Sequence, residues 1–269
     1  MCTLRPMITR HSLPSLLAIS ALLLLGCDEP TKARPADTGA SSVAPTIASS
    51  VAPIPSAPET PKKKKVECAT GPNVEFADAA VETEVRRKLA KDGGTLTRED
   101  LKGVRSLNLT VKPVNELDPC VFPLFVNLKD LFLGPGELED LSPIATLYNL
   151  ETVRASVSRV RDIKPLEKLV KLDRLDLGRT QVSDISVLAN LGNLTELALD
   201  DTDVSDISPL RGLAKLEKVS IKRTRVKDLS PLKDHKKLKF VWIEGAPIED
   251  TNALAALVNN GMRLVRSGK

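Results

Sequence analysis

The chain has 269 residues and a formal net charge of +4, and this charge is unevenly distributed. Residues 1–27 and residues 28–65 each carry a net charge of +2, whereas residues 66–269 contain 31 basic and 31 acidic side chains. Binding to nucleic acid phosphates normally requires a positive surface. The neutral C-terminal part therefore argues against a nucleic-acid partner.

The N-terminus has the features of a targeting segment. Arg5, Arg10 and His11 precede an apolar run from Leu16 to Leu25 that is too short to form an ordinary membrane-spanning helix. The sequence Leu24-Leu25-Gly26-Cys27 resembles the lipobox of bacterial lipoproteins. This resemblance implies that residues 1–26 are a removable signal peptide and that Cys27 is acylated; the alternative is an ordinary signal peptide with a chance cysteine. Which membrane holds the lipid is left open.

A Pro-, Ala-, Ser- and Thr-rich segment follows. Residues 28–61 contain seven prolines and no aromatic residue, a composition that cannot bury a core. We interpret residues 27–65 as the lipidated cysteine and a disordered tether. Lys62 to Lys65 are either a solvated end of this tether or a contact with anionic lipid headgroups.

The remaining cysteines favour a disulfide. Cys2 is lost with the signal peptide and Cys27 takes the lipid, which leaves Cys68 and Cys120. Outside the cytoplasm two such thiols usually pair. The only histidine of the mature chain is His235, so these cysteines do not predict a zinc site.

A 22-residue repeat dominates the C-terminal part. Leucines recur at residues 128, 150, 172, 194, 216 and 238, which we number as position one of each repeat. Positions four and six are apolar in every repeat and predict a short strand with alternating burial. Positions eleven and fourteen are apolar with one exception, Thr251, and should fill the interior.

Each repeat continues with a turn signal. Position thirteen is always aspartate, and in three repeats Ser-Pro follows at positions fifteen and sixteen, as in Ser208-Pro209. The fixed φ of proline suits the first turn of a helix, and Asp and Ser oxygens can accept amide protons there. Each repeat is therefore predicted to contain a strand, a turn and a short helical or 3-10 return, and stacked repeats supply the core.

This pattern resembles the 22-residue leucine-rich repeats of internalin-like bacterial proteins. The resemblance covers residues 104–259 and implies an α/β solenoid, a curved stack of short parallel strands, with an N-terminal cap over 66–103 and a C-terminal cap over 260–269. Those repeats often carry asparagine at position nine, where it bonds adjacent repeats. Here the middle three repeats have Thr180, Thr202 and Thr224, which we expect to form such a ladder.

The caps have their own signals. Phe76, Val81, Val85 and Leu89 fall at helical spacing, with Gly93-Gly94 as the end of that helix. Residues 97–100 are compatible with a second helix start. Residues 251–259 predict a last helix and residues 262–265 a final strand. The interval from Val104 to Leu128 is 24 residues, so the first turn, which contains Cys120, should be irregular.

The sequence offers no catalytic constellation, metal-ligand cluster, cofactor motif or evident small-molecule site. His235 stands at position twenty, where the other repeats have leucine, and we expect it to be a partly exposed packing residue. Paired carboxylates such as Asp200-Asp201 lack the apolar pocket that a glycosidase acid needs. We predict that the protein is not an enzyme.

The predicted binding surface is the concave strand face. Charges at positions three and eight alternate in sign between repeats and can pair along the stack. The candidate partner-binding residues are Phe132, Arg154, Asp176, Asp200, Lys222, Phe240 and Trp242. Phe240 and Trp242 share one face of a strand, either exposed as an anchor for a partner or covered by the C-terminal cap.

These patterns predict a monomeric lipoprotein of the cell envelope, facing the periplasm or the cell exterior. Its membrane attachment would be the lipid on Cys27, and it would bind an unidentified protein through the concave face of the solenoid. The alternative is a structural spacer or scaffold of the envelope without a defined ligand.

Overall fold

The computed structural model describes residues 66–266, which form a stack of coils around one continuous sheet. The eight strands are parallel and follow one another in chain order. They are β1 (Ser106–Leu109), β2 (Asp130–Leu133), β3 (Thr152–Arg154), β4 (Arg174–Asp176), β5 (Glu196–Ala198), β6 (Lys218–Ser220), β7 (Phe240–Trp242) and β8 (Arg263–Val265). The predicted leucine-rich-repeat solenoid is confirmed. The predicted signal peptide, Cys27 and tether lie outside the described residues.

The strand register follows directly from the 22-residue repeat. Leu131 of β2 pairs with Val153 of β3, which pairs with Leu175 of β4, so that position four aligns through the stack. The leucines at position one are buried, from Leu128 and Leu150 at 0% exposure to Leu238 at 5%. Positions four and six point into the same interior. One apolar core therefore runs through all the coils, and no coil buries its apolar side chains alone.

Seven 3-10 segments form the return half of the coils. They are Phe122–Leu124, Ser142–Ile144, Lys164–Leu166, Ser186–Asn190, Ser208–Gly212, Ser230–Leu232 and Asn252–Leu254. At position thirteen, the carboxylate of Asp206 accepts the amide proton of Ser208 at 2.7 Å, and the other five aspartates do the same two residues ahead. The Ser208 hydroxyl donates to Asp206 as well. It thus binds the aspartate and does not cap the backbone as the sequence had indicated.

Two short helices lie before the first strand. Helix α1 (Ala79–Leu89) begins after Asp78, whose carboxylate accepts the Ala80 amide proton at 2.7 Å. It is ended by the C-cap residue Ala90, which has a left-handed φ of 50°. Phe76 therefore precedes the helix, and Gly93-Gly94 follows its end by several residues, so the predicted bounds were too wide at both ends. Helix α2 (Arg98–Lys102) follows.

Helix α1 also covers the free edge of the sheet. The carboxylate of Glu84, which is 8% exposed, accepts the backbone amide proton of Asn108 in β1 at 3.1 Å. Arg87 bonds the same carboxylate at 2.7 Å and holds the pKa of Glu84 below its ordinary value. An edge amide that would otherwise be open to another strand is thereby satisfied.

The irregular first turn is joined to the N-terminal segment by a disulfide between Cys68 and Cys120, with 5.3 Å between their Cα atoms. The same turn packs directly against the next coil. A Cβ atom at Gly136 would lie 2.2 Å from the Val114 carbonyl oxygen. Only glycine fits at this position nine, because backbone occupies the space of a side chain.

The position-nine ladder predicted for the middle coils is absent from the described structure. The hydroxyl of Thr202 donates to the carbonyl oxygen of Leu199 at 2.7 Å, three residues earlier in its own coil. Thr180 and Thr224 make the equivalent bond, and so does Ser158. The threonine side chain is short, so its hydroxyl reaches a carbonyl within the coil and not the neighbouring coil.

A different position bonds neighbouring coils. Position twenty-two precedes each leucine of position one, and its Asn149 donates to the Val126 carbonyl oxygen at 2.9 Å. Lys171, one coil further, donates to the side-chain oxygen of Asn149 at 2.7 Å. Asn193 and Lys215 repeat this arrangement. This ladder lies at the edge where the strands begin.

Position eight has a left-handed backbone conformation in four successive coils without glycine. The φ angles are 59° at Val157, 57° at Arg179, 55° at Asp201 and 52° at Arg223, and Gly245 continues the row at 71°. Non-glycine residues rarely adopt this region, and β-branched residues least of all. The conformation turns the chain away from the sheet after each strand, and the packed coils on both sides hold it in place.

Candidate functional site

The strand face carries the candidate site. It consists of the side chains at positions three, five and seven, which alternate with the buried positions four and six. A groove of about 320 Å³ crosses this face from Phe132 on β2 to Trp242 on β7. Arg154 and Asp176 line it, whereas Asp200 and Lys222 belong to the adjacent position-seven row. Position eight follows that row at the next residue of each coil.

The charged side chains of the strand face bind one another. Arg154 pairs with Asp176 on the next strand at 3.0 Å, and Asp200 pairs with Lys222 at 3.1 Å. At position three, Glu196 lies 2.9 Å from Lys218 and 3.9 Å from Arg174. The alternating signs seen in the sequence thus pair across neighbouring coils. Partly exposed pairs contribute only about 0–1 kcal/mol each to stability, so their main effect is to neutralise the charge of the face.

The position-eight row contains a three-member ion-pair network. Asp201 lies between the position-eight arginines of the preceding and following coils, Arg179 at 3.7 Å and Arg223 at 2.6 Å. The bond from the Arg223 guanidinium is the main reason that the pKa of Asp201 is lowered from its ordinary value. The left-handed backbone at position eight brings these three side chains into one row.

Phe240 and Trp242 form a stacked pair at the C-terminal end of the groove. Their ring centroids are 5.4 Å apart and their planes differ by 12°. The guanidinium of Arg263 lies 5.8 Å from the centroid of the Phe240 ring. Both residues are half-buried. The structure therefore lies between the two alternatives left open by the sequence: β8 flanks the rings without covering them.

A notch of small side chains adjoins this pair. Along position five the residues are Phe132, Arg154, Asp176, Ala198, Ser220 and Trp242, so Ala198 and Ser220 separate two larger neighbours. The Ser220 hydroxyl bonds the carboxylate of Asp200 at 2.5 Å, and the Lys222 amide bonds the same oxygen at 3.0 Å. The sequence analysis missed Ala198 and Ser220, although the position-five column shows the change from large to small side chains.

The remaining candidate, Phe132, stands at the opposite end of the groove. Five strand spacings separate it from Trp242, which corresponds to about 24 Å at about 4.8 Å per strand. It is half-buried, like the C-terminal pair. The predicted aromatic residues therefore bracket the groove and do not form one cluster.

His235 is more deeply buried than its sequence position had indicated. It is 2% exposed, so the expectation of a partly exposed residue was wrong. Its Nε2 lies 3.0 Å from the Leu210 carbonyl oxygen of the preceding coil, and its Nδ1 has no hydrogen-bond partner. The stack encloses position twenty completely, as it does for the leucines of the other coils. Among residues 66–266, no group of three His, Cys, Asp or Glu side chains could hold a metal ion.

The repeat, the sheet and the groove together define a leucine-rich-repeat protein. No protein-family model and no curated protein sequence matches the chain. Among solved structures it is similar to an internalin from Listeria monocytogenes, with a TM-score of 0.64 and 29% identity over 68% of this chain and 54% of the other. The chain thus spans about half the length of that internalin.

Two further structures are similar. Internalin C2 from Listeria monocytogenes has a TM-score of 0.62 and 26% identity, over 75% of this chain and all of the other. A leucine-rich-repeat protein from Leptospira interrogans has a TM-score of 0.58 and 21% identity, over 64% of this chain and 45% of the other. The last likeness concerns the fold alone. Together they support an internalin-like leucine-rich-repeat fold.

Proposed function

We propose that this protein is a lipid-anchored lipoprotein of the cell envelope that binds a protein partner through the strand face of its solenoid. Solenoids of stacked repeats present extended binding surfaces, which suits the fold to protein interaction. Within residues 66–266 no helix is long and apolar enough to span a membrane. In this proposal the attachment is the acyl group on Cys27, and the described coils act as a binding module without catalytic activity.

The observation that carries the proposal is the stacked pair of Phe240 and Trp242 beside the notch at Ala198 and Ser220. Most charges of the strand face are already paired, so they offer a partner little unsatisfied electrostatic attraction. The aromatic pair offers apolar surface next to a space that can accept a side chain. Aromatic residues beside such pockets carry a large share of binding energy in protein interfaces.

A structural spacer remains the second function, and the paired charges are the observation that favours it. A face whose Arg, Lys, Asp and Glu side chains bind one another resembles an ordinary solvated surface. The two functions differ in one measurable respect: only a binding module loses its partner when the aromatic pair is removed.

The experiment compares two matched variants in capture from an envelope extract. Trp242→Ala removes half of the stacked pair, whereas Val111→Ala removes an exposed apolar side chain away from the strand face, with 90% of its surface accessible. We expect the parent and Val111→Ala to retain the same saturable partner. Trp242→Ala should weaken it about thirtyfold, the equivalent of about 2 kcal/mol. Equal retention by all three proteins would rule out the strand face as the binding site.

Lipid attachment is tested separately by Cys27→Ser. This variant should fail to incorporate a labelled fatty acid, because it has no thiol to acylate. Unchanged labelling would refute the lipoprotein assignment and leave the strand-face experiment unaffected.

A further inference from the structure

The edge of the sheet at which the strands begin has a composition unlike the rest of the surface. Because the strands are parallel and in register, the two residues at positions twenty-one and twenty-two of each coil line this edge, which we call the amino edge. Over seven coils these residues are Val126-Asn127, Tyr148-Asn149, Val170-Lys171, Gly192-Asn193, Ala214-Lys215, Lys236-Lys237 and Val258-Asn259. Four are lysines, and none is a carboxylate.

The opposite edge has the reverse charge. Positions ten to thirteen follow the strands and contain ten acidic and four basic side chains over the six regular coils. The described part of the chain is close to neutral as a whole, yet its two edges carry charge of opposite sign. Such segregation is not needed for solubility, which interspersed charges provide equally well.

The amino edge also holds the main row of exposed apolar side chains. Val126, Tyr148 and Val170 stand in three successive coils and are 43%, 52% and 50% exposed. Gly192 and Ala214 extend the row with small exposed residues, and Lys236 then stands in the same column. The row and the lysines span about 24 Å, at about 4.8 Å per coil.

Most neighbouring carboxylates bond other groups, and Glu217 also interacts electrostatically with Lys237. At position two, Glu151 bonds Lys129 and Glu217 bonds Lys239, both at 2.6 Å, while Asp173 bonds the Thr195 hydroxyl at 2.5 Å. On the return segment behind the edge, two acidic residues, Glu167 and Asp234, are outnumbered by Lys168, Arg211 and Lys233. Lys171 and Lys215 bond only uncharged asparagine side chains along the edge. The edge therefore presents positive charge beside apolar surface.

We propose that the amino edge binds an anionic lipid bilayer and so sets the solenoid edge-on against the membrane. Lysines attract anionic headgroups, tyrosine occupies the interface between headgroups and acyl chains, and small or aliphatic residues between them permit close approach. The acidic edge then faces away from the bilayer, and the plane of the sheet stands perpendicular to the membrane surface. The interaction does not require the acyl group on Cys27 or a partner on the strand face.

The experiment uses the full chain with Cys27→Ser, so that no acyl group takes part. Its partition onto vesicles of phosphatidylglycerol and phosphatidylethanolamine is compared with that onto phosphatidylcholine vesicles at about 0.1 M salt, where charges act over about 10 Å. We expect stronger binding to the anionic vesicles than to the phosphatidylcholine vesicles, with a difference that added salt reduces. Residues 1–65 are common to all variants, so their contribution cancels in the comparisons that follow.

Two matched triple variants decide the role of the edge. Lys215→Gln, Lys236→Gln and Lys237→Gln together should lower partition about a hundredfold, at about fivefold for each lysine near an anionic surface. Lys112→Gln, Lys164→Gln and Lys227→Gln remove the same charge from exposed residues elsewhere and should change partition only a few-fold. Equal effects of the two triples would overturn the proposal, because binding would then depend on net charge and not on this edge.

Tyr148→Ser with Val170→Ser tests the apolar row. We expect a further several-fold loss on anionic vesicles, with unchanged thermal unfolding because both side chains are exposed. Sedimentation of the same proteins without lipid tests whether the edge binds a second copy of the chain instead. The proposal would be overturned if the parent did not bind anionic vesicles and if it self-associated in a way that this double variant abolished. The edge would then be assigned to a homodimer.

Discussion

Replacing His235 by leucine should stabilise the protein, an unusual expectation for a fully buried residue. His235 is the one histidine in a column whose other members are leucines that the stack buries, among them Leu213 at 1% exposure. The site therefore already has the shape of a leucine site. Its Nδ1 is buried without a partner, and an unsatisfied buried polar atom typically costs about 1–3 kcal/mol.

The opposing loss is small. His235→Leu removes the bond between Nε2 and the Leu210 carbonyl oxygen, worth about 1 kcal/mol. That oxygen still accepts the backbone amide proton of Leu213 at 2.9 Å, so it is not left unsatisfied. The more apolar leucine side chain adds to the free energy of burial. We expect the free energy of unfolding to rise by about 1–2 kcal/mol. For a domain of this size, each kcal/mol raises Tm by about 2–4 °C.

Urea and thermal unfolding measure this change, and the matched control is Leu213→His. The control places the same ring one coil earlier, where we expect it to lower the free energy of unfolding by a similar or larger amount. His235→Leu unfolding at the same or a lower urea concentration than the parent would refute the reasoning, since it would mean that the histidine ring is fully satisfied in the stack.

Three other predictions concern features of the cap and the coils. Lys91 and the capping box hold the pKa of Asp100 at about 2, below its ordinary value of 3.8. The contribution of this carboxylate to stability is therefore present above about pH 4 and is lost as the pH falls towards 2. The unfolding of Asp100→Asn should depend less on pH in that window. Thr180→Val and Thr202→Val should each cost about 1 kcal/mol and add independently in a double-mutant cycle, because each hydroxyl bonds its own coil; coupling between them would indicate a bond between coils. Cys120→Ser opens a loop whose ends are 52 residues apart, and the chain-entropy relation predicts a loss of about 4 kcal/mol in the free energy of unfolding. Amide protection should be lost first in β1. Unchanged unfolding would contradict the stabilising role of the disulfide.

Most of the fold could be predicted because one spacing determines the register. Leucines 22 residues apart must stack, and once position four is buried the neighbouring positions three and five must point outward. The strand face and its alternating charge pairs follow from this arithmetic. The N-terminal cap was predicted less accurately. Phe76 continues the apolar spacing of α1, but the helix starts only after its N-cap Asp78, two residues later.

The bonds between coils were harder to predict because they depend on the reach of individual side chains. Threonine at position nine resembled a shorter version of the asparagine ladder, but its hydroxyl is satisfied within the coil. Asn149 and Asn193 hold adjacent coils together, and nothing in the sequence pattern distinguishes them from ordinary surface residues. The notch at Ala198 and Ser220 was missed for a related reason: a binding surface is marked there by small side chains, which have no chemical signature of their own.

The alternation of charge between coils limits how the chain can change its length. Arg174 and Lys218 both pair with Glu196, and Arg179 and Arg223 both contact Asp201. Deleting residues 194–215 would leave the leucine spacing intact but place like charges side by side in both rows. Deleting or duplicating 44 residues would preserve both the spacing and the sign. Charge pairing is therefore preserved only when repeats are gained or lost two at a time, whereas the packing of the core is preserved for a single repeat.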